Sequence, residues 1–229
     1  GTPWHRLLPL LAAVAEGAVD SVVLCTTPAV PRAEDGALAL DLVGILDGIE
    51  PEWDPSTDSH VAAPYGPEDL SGKARCKGSL QYMLGLGVHP ELPLVVAIGE
   101  LSEDRGGDLI AAVAADCLRS ELQLCVLGSE GPAAERLNSL AAELPERLAL
   151  RTSHDEKERH LALGAADFLL LPGREPRSVE IALSGLRYGA LPIVRPVGPL
   201  ADVIVDADAK LETGNGFVVE SSSADDVLA

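Results

Sequence analysis

The stretch "LVVAIGELSEDRGGDLI", residues 94 to 110, joins an apolar run to a helical pattern through a short acidic loop. A strand-to-helix turn is where an α/β protein receives a phosphate, because backbone N–H groups and the positive end of the helix dipole converge there. Here a carboxylate, Glu100, closes the strand and Arg105 follows in the loop. The first repels a phosphate and the second attracts one. A second such turn, "LGSEGPAAERL", offers Gly128 ahead of a helix, but Glu130 in the same loop argues against an anion. Glu103, Asp104 and Asp108 imitate a loose cation site, yet carboxylates are common on surface loops, and neither a metal nor a cofactor is expected. Asp155, Glu156 and Glu158 read as a solvated helix face. No Ser-His-Asp or Cys-His arrangement follows from the spacing.

The elements that hold these turns are legible from residue 92 onward. Apolar runs ("LPLVVAIG", "LQLCVLGS", "LALRT", "ADFLLLPG", "LPIVRP") alternate with helical patterns ("GDLIAAVAADCLRSE", "PAAERLNSLAAELPE", "HDEKERHLALGA", "SVEIALSGLRYG"). The runs are continuous rather than alternating, which predicts strands buried on both faces. Repeated βα units with short loops predict a doubly wound, Rossmann-like parallel sheet of the α/β class. Upstream, "LLPLLAAVAEGAV" at 7–19 predicts a core or docking helix, with strands in "VDSVVLC" and "LDLVGILDG". Pro51 to Gly72 reads as a surface loop or linker, and "GKARCKGSLQYMLGLG" as a helix. Three parts are therefore expected: a remnant or docking segment at 1–50, linker and first helix at 51–91, and the Rossmann-like domain at 92–229.

Charge and composition narrow the function. Lys plus Arg count 17 against 36 Asp plus Glu, a net charge of −19, which repels nucleic acid and anionic membranes. Aromatics are 3% of the chain, too few for a base-stacking platform, while 47% apolar residues supply an Ala/Leu/Val core. Cys25, Cys76, Cys117 and Cys125 show no CxxC spacing, so the common zinc patterns are excluded and a reducing compartment is expected. No apolar run reaches the roughly 18 to 20 residues of a membrane span. The missing initiator Met, and "SSSADDVLA" stopping where a helical pattern begins, predict a processed or partial chain.

Several phrases together resemble the glycogen and starch synthase family of ADP-glucose-dependent glucosyltransferases. "GILDGIEPEWDPSTD" is similar to that family's linker, and "DLSGKARCKGSLQYMLGL" to its next motif. "IGELSEDRGGDLI", "LCVLGSEGP", "LGAADFLLLPGREP", "LRYGALPIVRPVGPLADVI" and "GNGFVVE" follow in the family's order. The resemblance runs from about Val43 to the end. It implies the C-terminal half of a GT-B fold, in which two Rossmann-like domains face each other across the active site.

The resemblance also implies which residues hold the donor. The family binds the nucleotide diphosphate through an Arg and a Lys in G-R-L-x-x-Q-K-G, supports the sugar with a Glu in S-R-F-E-P-C-G, and donates backbone amides from a T-G-G-L turn. Here Glu100 stands at the Arg position and Arg105 at the Lys position. Pro176 stands at the Glu position, with Glu175 one residue early and within reach of a loop shift. Val197-Gly198-Pro199 replaces Thr-Gly-Gly, and Pro199 has no N–H to donate. The family's K-x-G-G-L loop is absent from the 229 residues. His160 matches a family His and is expected on a partly exposed helix face. Arg105, Glu175, His160 and Gly198 are the weak nucleotide-sugar candidates. Trp53 and Asp54 are expected to anchor the linker, and Arg187 and Tyr188 to be structural.

No catalytic residues are expected to survive. The expected function is a non-catalytic structural or accessory subunit, held by a protein partner on the exposed former inter-domain face, in a plastid rather than a bacterial cytoplasm. The alternatives are an active ADP-glucose:α-1,4-glucan glucosyltransferase working with a separate N-terminal domain, and a regulatory binder of nucleotide or glucan.

Overall fold

The computed structural model describes residues 21–25, 41–46, 48–117, 119–153, 155–174 and 179–219. The helix expected at 7–19 lies outside them. Two strands, β1 (Ser21–Cys25) and β2 (Asp41–Ile45), pair antiparallel with Ser21 opposite Ile45 and Cys25 opposite Asp41.

The remaining elements follow as α1 (Ser71–Leu84), β3 (Leu94–Ile98), α2 (Gly107–Cys117), β4 (Gln123–Leu127), α3 (Pro132–Glu143), β5 (Leu148–Arg151), α4 (Glu156–Ala165), β6 (Phe168–Leu171), α5 (Glu180–Arg187), β7 (Leu191–Val194), α6 (Leu200–Val203) and β8 (Phe217–Val218). β3 to β8 form a six-stranded parallel sheet in the order β5-β4-β3-β6-β7-β8. The chain enters at the centre on β3, winds out to β5, returns beside β3 as β6 and winds out the other way. That is the doubly wound, Rossmann-like α/β arrangement that the continuous apolar runs predict.

Every residue of β3 and β4 is buried. Alternate side chains feed two cores. Leu94, Val96 and Ile98 pack with α1, α4 and α5, through Leu80, Leu163 and Ala182. Val95 and Ala97 pack with α2 and α3, through Ile110, Val113 and Leu137. The helix ends follow local chemistry. Asp155 caps α4 with a reciprocal Asp155–Glu158 capping box, and α1 stops at left-handed Gly85. Two short elements, α6 and β8, are too brief to register as periodic patterns.

The stretch from Pro51 to Gly72, expected as a surface loop or linker, is irregular but not superficial. Trp53, Ala63 and Tyr65 are buried, and Trp53 and Tyr65 belong to the core on the α1/α4/α5 face. α1 packs against α4 and is bolted to the sheet by polar bonds. Lys77 Nζ lies 2.7 Å from Asp167 Oδ2, which also accepts the N–H of Leu94 at 2.8 Å and so fixes the start of β3. Gln81 Nε2 donates to Gln123 Oε1 at 2.6 Å, and Gln123 in turn caps Gly87 O and Glu146 O.

Candidate functional site

In a doubly wound sheet, ligands bind outside the carboxyl ends of the strands where the winding reverses. Here that point lies between β3 and β6. The β3 lip runs Gly99-Glu100-Leu101 and on to α2; the β6 lip runs Pro172-Gly173-Arg174. The first lip is tightly built. Gly106 N–H donates to Glu103 O and Gly107 N–H to Ser102 O, both at 2.9 Å. Gly106 has φ of 79°, and a Cβ on Gly107 would fall 2.1 Å from Leu101 O, so only glycine fits.

Glu100 is exposed on this lip. Arg105 is half-buried on the same turn and is partnered by its neighbours. Arg174, not singled out by its sequence, carries the polar bonds between the two lips. Its Nη1 and Nη2 donate to Asp108 Oδ1 and Oδ2 at 2.7 Å each, its Nη1 to Glu103 O at 2.6 Å, and its N–H to Asp104 O at 2.8 Å. This fork holds the Asp108 carboxyl below its ordinary range and the guanidinium above its own. The available signal was an Arg beside a Gly after a strand, with an Asp in a helix's first turn to receive its fork. Gly198, at the end of β7 on the same sheet edge, is exposed with φ of 55°. Pro199 follows at the start of α6. Glu175 and Pro176 lie outside the described residues. Among the described residues no group of three or more His, Cys, Asp or Glu could hold a metal ion.

His160 belongs to a second locus. Expected as partly exposed, it is 4% exposed, because the linker folds over it. Its ring stacks on Trp53 with centroids 4.0 Å apart and planes 5° from parallel. Its Nδ1 lies 2.8 Å from Asp58 Oδ2, an acceptor-only carboxylate, so the proton sits on Nδ1. Tyr188 Oη donates to the same oxygen at 2.6 Å, and His60 N–H to Asp58 Oδ1 at 2.7 Å. Burial pushes the Asp58 carboxyl up, but these donors outweigh it and the net direction is down. Burial and the Asp58 charge push the Tyr188 phenol up. Lys73 donates to Tyr188 O at 2.8 Å, and burial lowers its ammonium to about 8. Asp54, held at about 2 by Ser56 and then Arg187, pairs with Arg187. Trp53, Asp54, Arg187 and Tyr188 thus hold the linker to α4 and α5, as expected. A cleft of about 290 Å³ opens beside this dock, lined by Glu52, Asp58, His60, Glu156 and His160 among others.

A parallel sheet wound both ways from its centre, with a core on each face, is a Rossmann-like α/β domain. Known proteins agree. The chain is 46% identical over 182 residues to the glycogen synthase of Anaeromyxobacter sp. (strain Fw109-5), covering 78% of this chain and 38% of that protein. It is 42% identical over 171 residues to that of Thioalkalivibrio sulfidiphilus (strain HL-EbGR7), covering 73% and 35%. The catalytic domain of starch synthase IV from Arabidopsis thaliana, solved with ADP and acarbose, superposes with a TM-score of 0.70 at 27% identity, over 77% of this chain and 38% of that one. The C-terminal domain of a group 1 glycosyl transferase, LpcC of Francisella tularensis, shares the fold with a TM-score of 0.52 at 15% identity, over 71% of this chain and 80% of that one. No family model matches the chain. The chain belongs to the glycogen/starch synthase family. It spans 38% of the length of the first of these relatives.

Proposed function

We infer that this glucosyltransferase-like domain no longer turns over a sugar donor and serves as a non-catalytic structural or accessory subunit. The observation that carries this reading is Glu100, exposed on the β3 lip at the reversal point of the sheet. A cation about 4 Å from a phosphate oxygen gains on the order of 4 kcal/mol gross at an effective dielectric near 20, and a carboxylate there reverses the sign. A diphosphate leaving group gathers charge at the transition state, so the loss falls on the rate. Arg174 does not offset it, because Asp108 already matches its charge. Pro199 also withholds an amide from the turn that follows β7.

A protein partner is proposed for the carboxyl edge of the sheet, where the two lips lie. A plastid setting is part of the proposal. The glycogen synthase relatives are bacterial and lend that setting no support. Among the described residues no helix is long and apolar enough to cross a membrane.

The second reading is an active glucosyltransferase completed by an N-terminal domain. The identity to glycogen synthases and the cation Arg105 on the β3 lip favour it. Incorporation of labelled glucose from ADP-glucose into glycogen by the full-length protein separates the two. Incorporation at background supports the first reading; incorporation well above background, abolished with Arg105→Ala, supports the second.

A further inference from the structure

Arg174 follows β6, and Asp108 sits in the first turn of the helix that follows β3. Their bond therefore spans the one place where neighbouring strands of the sheet belong to opposite windings. Three acceptors on the β3 side converge on this one residue: the Asp108 carboxylate, Glu103 O and Asp104 O. A second observation, independent of the charges, points the same way. A Cβ on Gly106 would sit 2.8 Å from Pro172 O, so the backbones of the two lips already touch. We propose that Arg174 is a positioning residue that locks the β3 and β6 lips together, so that the two keep one relative arrangement. An arginine is required for this, because a planar fork meets both carboxylate oxygens while its remaining donors reach a carbonyl; a lysine is a point charge and cannot do both. The site is the one read above as the former donor crevice, and only the lock's bearing on nucleotide binding rests on that reading.

The test is amide hydrogen exchange by NMR on the full 229-residue chain without nucleotide. The readout is exchange at Gly106, Gly107 and Arg174 relative to the core amide of Val96, so that a change in global stability cancels. Arg174→Lys keeps the charge but loses the fork, and is expected to speed all three lip amides by about tenfold or more, the scale of a lost charge-assisted hydrogen bond. Asp108→Asn is expected to do the same, with the double variant no faster than either single one. Acceleration confined to Arg174, with Gly106 and Gly107 unchanged, overturns the lock. So does a double variant whose effect is the product of the singles. Titrating ADP into the wild-type chain is a separate arm: micromolar binding would sink the proposed function while leaving the lock to the exchange result.

Discussion

Two loop-built regions sit on this domain and have met different fates. At the linker dock, Trp53, Asp58, His160 and Tyr188 form a buried network in which one carboxylate takes donors from three residues and a ring stack covers it. At the β3–β6 crevice, the backbone frame is as tight, yet its outermost side chain is an exposed anion, Glu100. The dock contributes to folding: loss of Asp58 strips three donors of their acceptor, and loss of Trp53 removes a buried ring. Glu100 is exposed, so a change of charge there costs the fold little, and on the proposed reading its effect falls on the ligand.

The largest effects that sharpen this contrast belong at the dock. Trp53→Ala, which removes a ring 3% exposed, is expected to cost about 3–5 kcal/mol in urea unfolding. Asp58→Ala leaves Tyr188 Oη, His160 Nδ1 and the His60 N–H without their acceptor and is expected to cost about 3–5 kcal/mol by the same measurement. Tyr188→Phe removes one donor only, and about 1–3 kcal/mol is expected. Acid denaturation gives a signed check. The folded Asp58 carboxyl titrates below its ordinary 3.8, so its contribution is present above that pH and disappears as the pH falls through the lower folded value. The wild type should therefore lose stability more steeply below 3.8 than Asp58→Asn does. At the small end, Arg187→Ala opens a half-exposed ion pair with Asp54 and should cost under about 1 kcal/mol. If the buried dock variants cost no more than this exposed pair at its edge, burial is not what makes the dock contribute to the fold.

The sheet was readable because β3, β4 and β6 are unbroken apolar runs set between periodic helices. The dock was half readable. Trp53 and Tyr188 stand out as scarce aromatics, but nothing local shows that His160 will be covered by Asp58, 102 residues earlier in the chain. A lone Trp and Tyr in a Pro- and Ser-rich stretch leave no period, so the 51–72 segment looks superficial in sequence although its aromatics are core. In the crevice, charge type was legible at Glu100 and Arg105. Pairing was not: Arg174 takes its meaning from Asp108, 66 positions away and in reach only because β6 returns beside β3.

Calorimetric titration of ADP into the full-length protein and its Glu100→Arg variant decides whether the anion proposed to face the donor phosphate excludes it. No submillimolar binding by the wild type is expected, and a gain of about tenfold or more in affinity for the variant. Micromolar binding by the wild type, unimproved in Glu100→Arg, would contradict it.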